Sequence, residues 1–127
     1  MYISLTDMSA EPLHQQLYRQ IRAAVLSGDL EPGYMLPSIR ALAKEQRVSV
    51  ITIKSAYENL ERDGFILARR GKGFFIREIE KKFLKKIAKD NFSEKLESII
   101  KNALQEGIDR KDIIEIFNEQ VNEKESL

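Results

Sequence analysis

Apolar residues fall into helical stripes over most of this chain and into short alternating runs only near its middle. Leu13, Leu17, Ile21, Ala24 and Val25 recur at helical spacing. They predict a first helix from about Pro12, suited to position N1, to Ser27, with Gly28 as its left-handed stop. Pro32-Gly33 then turns the chain. Pro37-Ser38 opens a second helix with Leu42 and Ala43 on its apolar side, the Ser hydroxyl being able to accept from exposed N–H groups of the first turn. Ser49 caps a third helix, in which Ile53, Ala56, Tyr57 and Leu60 fall at i, i+3, i+4 and i+7. Its other face carries Ser49, Val50, Thr52, Lys54 and Ser55, and Asp63-Gly64 ends it. Two strand-like runs follow, Phe65 to Ala68 and Phe74 to Ile76, joined by Arg69-Arg70-Gly71-Lys72-Gly73. Met1 to Leu5 alternate weakly and predict one more short strand.

From Ile79 the composition shifts to a Lys/Glu-rich helix with a long apolar face that includes Phe83, Ile87, Phe92, Leu96 and Ile100. Gly107 stops it, and Asp109 caps a last helix whose apolar side holds Ile113, Ile116, Phe117 and Val121. The predicted class is therefore mainly α with a small β-hairpin. A winged helix-turn-helix occupies residues 1–78, with residues 1–10 as an extended lead-in, and a helical hairpin occupies residues 79–127. The order helix, tight turn, helix, basic hairpin points to duplex DNA as the target.

Charge sharpens this picture more than composition does. The chain has 127 residues and a net charge of only +1. From Leu36 to Arg77, however, nine Lys/Arg face four Asp/Glu, a local +5, while residues 79–127 sum to −1. Attraction to phosphate is thus concentrated on one part of the chain. The length allows one modest core plus an appendage. With no cysteine there is neither disulfide nor thiolate chemistry, and a reducing cytoplasm is the simplest home. No stretch approaches the ~20 apolar residues that span a bilayer, so no membrane partner is expected.

Leu-Pro-Ser-x-Arg-x-Leu-Ala at Leu36 to Ala43, Val-Ser-x-x-Thr-Ile-Lys at Val48 to Lys54, Glu-Arg-Asp-Gly-Phe-Ile at Glu61 to Ile66, and Arg-Arg-Gly-Lys-Gly-Phe-Phe at Arg69 to Phe75 stand in this order. Together they resemble the DNA-binding domain of GntR-family bacterial transcription regulators, over roughly residues 10–77. The small C-terminal part and the Ala56-Tyr57 pair are similar to the YtrA-type subfamily. The resemblance implies phosphate or base contacts from Arg40 and Lys54, with Ser38, Ser49 and Thr52 as shorter-range hydrogen-bonding partners. It also implies a wing that approaches the minor groove at Gly71 and Gly73, with Arg69, Arg70 and Lys72 neutralising phosphates. One departure stands out: Val50 and Ile51 occupy positions where many relatives carry Arg or Asn-Pro-Asn. Val50 is placed to meet a thymine methyl, whereas Ile51 is expected to be partly buried.

A two-helix hairpin has one face to cover another, and this one carries Phe83, Phe92 and Phe117 besides many Ile and Leu. Each such side chain gains roughly 1.5–3 kcal/mol on full burial. Pairing with a second copy through Phe83, Ile87, Phe92, Leu96, Ile100 and Phe117 is the expected solution, folding back on its own winged domain the other. A two-fold dimer would also supply two half-site readers for a palindromic operator, and a repressor acting by steric exclusion is the simplest regulator of this size.

Other chemistry finds little support. The P-loop and dinucleotide glycine spacings are absent, no catalytic constellation is visible, and 49 residues after Glu78 cannot hold the large aminotransferase-like domain that some GntR relatives carry. His14 is the only histidine, so neither a zinc site nor another cofactor is expected, and His14 is assigned to the surface or to domain packing. Lys81-Lys82 and Lys85-Lys86 read as a solvated helix face. A small-molecule effector either is missing or lodges where the dimer helices meet the winged domains, because a hairpin alone cannot enclose the usual ~300–1,000 Å³. A winged helix used only for protein–protein contact is the alternative function, and the basic wing argues against it.

Overall fold

Pro12 is where regular structure begins, and its carbonyl accepts the N–H groups of Gln15 and Gln16, both at 3.0 Å. In the computed structural model, which describes residues 1–125, it is therefore the residue before α1 (Leu13–Ser27) and not the first helical one as predicted. A ψ of 147° keeps Pro12 outside the helix while its carbonyl already serves it. Gly28, at φ 88°, closes α1 in the left-handed conformation. The buried face is Gln16, Leu17, Ile21 and Val25, with Leu13 and Ala24 half-buried at its margins.

Gln16 accounts for the N-terminal segment. It is 2% exposed, and its amide donates to the carbonyls of Thr6 (2.8 Å) and Glu11 (2.7 Å) while accepting from the Thr6 N–H (3.0 Å). One turn on, Gln20 accepts from the Ser4 N–H (2.9 Å) and donates to the Ser4 carbonyl (2.7 Å). The predicted strand over Met1 to Leu5 does not form. Glutamine amides reproduce the donor and acceptor of a neighbouring peptide, so this segment is satisfied along a helix instead of a sheet edge. Ile3 is buried beneath it.

The helix-turn-helix follows as α2 (Ile39–Gln46) and α3 (Val50–Arg62). Ser38 caps α2 by accepting from the Ala41 N–H at 3.1 Å, and Ser49 caps α3 by accepting from the Thr52 N–H at 3.1 Å. Between them Arg47 adopts a left-handed φ of 56°, and its N–H returns to the end of α2. α3 packs against both α1 and α2. Its stripe of Ile53, Ala56, Tyr57 and Leu60 is fully buried, with Leu17, Ile21, Leu42 and Ile66 completing the core. The Tyr57 hydroxyl donates to the Pro37 carbonyl at 2.7 Å, and its ring meets Phe74 edge-on at 5.1 Å.

The wing is an antiparallel hairpin of β1 (Ile66–Arg69) and β2 (Gly73–Ile76), pairing Ile66 with Ile76, Leu67 with Phe75, Ala68 with Phe74 and Arg69 with Gly73. Each strand is displaced by about one residue from its predicted start or end. Residues 33–36, which follow from the Pro32-Gly33 turn, run along the free edge of β2. Gly33 N–H donates to Ile76 O, Ile76 N–H to Tyr34 O and Leu36 N–H to Phe74 O, at 2.8, 2.9 and 2.9 Å.

The chain divides into two compact units, one through Lys85 and one from Lys86 onward. α4 (Lys81–Gln105) is 25 residues long and α5 (Arg110–Glu125) is 16. Gly107 at φ 88° ends α4, with the Ile108 N–H returning to the Ala103 carbonyl at 3.0 Å. The Asp109 carboxylate accepts from the Asp112 N–H at 2.9 Å and starts α5. The two helices are joined tightly but do not pack along their lengths, and no residue of α4 is buried.

Candidate nucleic-acid interface

Burial divides α3 into two faces. While Ile53, Ala56, Tyr57 and Leu60 anchor it, Val50 is 45% exposed and Ile51 75%. The expectation that Ile51 would be partly buried is therefore corrected. At the first turn the anchored stripe has not begun, and no packed element covers position 51. Lys54 and Glu58 lie on the same open face 3.9 Å apart, both well solvated, so their attraction is weak and leaves the ammonium available.

The two hydroxyls at the start of α3 are engaged with each other. Ser49 Oγ lies 2.8 Å from Thr52 Oγ1 in addition to accepting the Thr52 N–H, and Thr52 is half-buried. Their first role is to hold the helix start. Ser38 does the same for α2 and sets Arg40 on that helix's exposed side. Arg40 has no ion-pair partner among the described residues.

The tip of the wing is a tight turn in which the Lys72 N–H donates to the Arg69 carbonyl at 2.9 Å. Gly71 (φ 74°) and Gly73 (φ 125°) adopt backbone conformations that L side chains rarely take. Nothing lies within 4 Å of where a Cβ on Gly71 would be, so the backbone there is open to a ligand. Arg70 and Lys72 are exposed. Arg69 instead lies over the Phe75 ring, 5.2 Å from its centroid, which holds the guanidinium against the outer face of the sheet.

Two contacts that the sequence patterns did not reveal hold helix and wing in place. Glu61 Oε2 accepts the Ala68 N–H at 3.1 Å, tying α3 to the outer edge of β1. The Tyr18 hydroxyl of α1 donates to the Asp63 carboxylate at the end of α3. That hydrogen bond holds the Asp63 carboxyl below its usual range against the opposing effect of burial, with Arg62 assisting. Burial first, and then the same bond, pushes Tyr18 up to about 12. Glu61 belongs to a motif already noted for its end-of-helix position, but only the tertiary fold shows what its side chain holds.

On α4 and α5, Phe83, Phe92 and Phe117 are 50%, 57% and 41% exposed, and Ile87, Leu96 and Ile100 are half-buried. His14 is half-buried on α1. Among the described residues no cluster of His, Cys, Asp or Glu could hold a metal ion, and no helix is long and apolar enough to cross a membrane.

Residues 13–76 match the family described as bacterial regulatory proteins, gntR family. This chain belongs to the gntR family. It is similar to the HTH-type transcriptional repressor YtrA of Bacillus subtilis (strain 168), with 32% identity over 117 residues that cover 92% of this chain and 90% of the relative. The likeness therefore continues past the winged domain into the C-terminal helices. Among solved structures, a GntR family transcriptional regulator from Listeria monocytogenes superposes with a TM-score of 0.75 at 28% identity, covering 87% of this chain and 96% of the other. YtrA from Sulfolobus acidocaldarius, a GntR-family transcription factor, matches at 0.57 and 30%, covering 72% and 97%. These gntR-family relatives are transcription regulators.

Proposed function

We propose that this protein is a sequence-specific DNA-binding transcription regulator of the bacterial cytoplasm, acting as a homodimeric repressor on a palindromic operator. The observation that carries the proposal is the division of α3: one face anchors the helix in the core, and the other stays open to solvent. α3 enters the major groove by its first turn, where Ser49, Val50, Thr52 and Lys54 lie, and the wing approaches the minor groove with Arg70 and Lys72 on phosphates. Ser38 and Arg69 support these contacts, and Gly71 and Gly73 let the backbone come close. In functional terms residues 1–78 read DNA and residues 79–127 form the dimer. Phe83, Ile87, Phe92, Leu96, Ile100 and Phe117 furnish its apolar face, since their exposure in one chain is what a second copy would relieve. Repression is supported by the Bacillus subtilis relative, which is a transcriptional repressor.

Fluorescence anisotropy with a duplex from the protein's own promoter and a scrambled duplex, at two salt concentrations, tests the proposal. Tight binding to the promoter alone, falling steeply with salt, is expected. Equal affinity for both duplexes would remove sequence specificity, and absence of binding would favour the protein–protein alternative. Within this assay Lys72→Ala should weaken both duplexes equally and lower the salt slope by about one contact. Arg40→Ala should cost the promoter duplex more, roughly 1–3 kcal/mol if its guanidinium grips a base edge in bidentate fashion.

A further inference from the structure

Resting on the DNA-reading role just proposed, we infer that Val50 and Ile51 recognise thymine 5-methyl groups, and that the operator therefore carries T·A pairs beneath the start of α3. The two side chains form an exposed apolar step on the first turn of the helix, 45% and 75% open to solvent, in the unit that also carries the cationic wing. An isoleucine this exposed gains nothing from its own fold. Its neighbours do not offer the usual polar readout either: Ser49 and Thr52 direct their hydroxyls at each other and at the helix N–H, and Lys54 stands one turn further along.

In the major groove, thymine is the base that presents a methyl group, at C5, and β-branched side chains complement it by apolar contact. A second protein would also cover an apolar step. However, the same unit exposes Arg40, Arg70 and Lys72 without ion-pair partners among the described residues, and their charge complements a phosphate backbone. DNA is the occupant that uses both features.

The test separates the methyl from the rest of the base pair. Thymines in one promoter half-site are replaced singly by deoxyuridine, which removes only the methyl, and affinities are measured for the wild type, Val50→Ala and Ile51→Ala. At one or two positions the wild type should lose roughly four-fold per methyl, the value expected for returning one such group to water. At those positions the alanine variants should bind deoxyuridine and thymidine duplexes equally. Exchanging such a thymine for cytosine and then for 5-methylcytosine removes and restores the C5 methyl at the same position, and the restored methyl should raise the affinity of the wild type but not that of Ile51→Ala. If the wild type prefers its promoter but is indifferent to every deoxyuridine, or if the alanine variants keep the discrimination, the inference is overturned while DNA reading stands. If the wild type shows no preference for its promoter at all, both fall together.

Discussion

The winged unit and the C-terminal helices solve the same problem in opposite ways. In the first, α1, α2 and α3 place Leu17, Ile21, Leu42, Ile53, Tyr57 and Leu60 out of solvent within one chain. In the second, α4 has no buried residue, and Phe92, Ile99, Leu104, Ile114 and Ile116 stand about half exposed. Three helices crossing one another enclose a core. Two helices joined end to end by a tight turn, without packing along their lengths, cannot. Apolar content alone therefore does not make a folded domain; the number of faces brought together does.

The largest effect expected from this contrast is in the core. Leu17→Ala should destabilise the winged unit by about 2–5 kcal/mol in urea unfolding, through lost burial and the cavity left behind. The same truncation at an exposed α4 position such as Phe92 should leave the stability of the winged unit untouched. Equal losses at the two sites would mean that α4 is as well packed within one chain as α1.

A paired substitution on α4, Leu96→Asp with Ile100→Asp, should turn a dimer of about 29 kDa into a monomer near the 14.7 kDa of one chain in light scattering. Each carboxylate would replace a side chain worth roughly 1.5–3 kcal/mol when buried. A wild type that already runs as a monomer at tens of micromolar would break the comparison at its C-terminal end.

Tyr57→Phe deletes only a hydroxyl, and removing its hydrogen bond to Pro37 should cost about 1 kcal/mol by thermal unfolding.

The smallest effect is one of pH. Asp63 is held below its usual range chiefly by the Tyr18 hydroxyl. The stability it contributes is therefore complete above the unfolded carboxylate value near ~3.9 and is lost as pH falls through the lower folded value. Tyr18→Phe should lower stability at neutral pH and shrink that acid-side loss, so that its curve converges on the wild type's as pH falls in chemical unfolding followed between neutral pH and pH 3. At the alkaline end, Tyr18 itself, raised to about 12, stabilises the fold until pH climbs past its ordinary value near 10. Coincident acid limbs for the wild type and Tyr18→Phe would show that the hydrogen bond has no energetic role.

Most of the fold was legible because caps and stripes are local. Ser38, Ser49, Asp109, Gly28 and Gly107 mark helix ends by chemistry that acts over a few residues, and the Ile53–Leu60 stripe declares its buried side. What was not legible depends on residues far apart in sequence. Gln16 looks like a surface residue on a helix until Thr6 and Glu11 are brought to it, and residues 34–36 show no strand pattern of their own until β2 lies alongside. In the candidate site, Arg40, Lys54 and the wing cations could be placed from motif spacing. The exposure of Ile51 could not, because burial at the first turn of a helix depends on what the rest of the chain leaves uncovered.

The partition of α3 has a consequence for how such a protein diverges. Apart from the capping pair Ser49 and Thr52, the side chains that anchor the helix and those that stand open to solvent are different ones, so Val50, Ile51 and Lys54 can be exchanged with little penalty to folding. Two or three substitutions can then accumulate on this one turn of α3 with each intermediate remaining a folded protein.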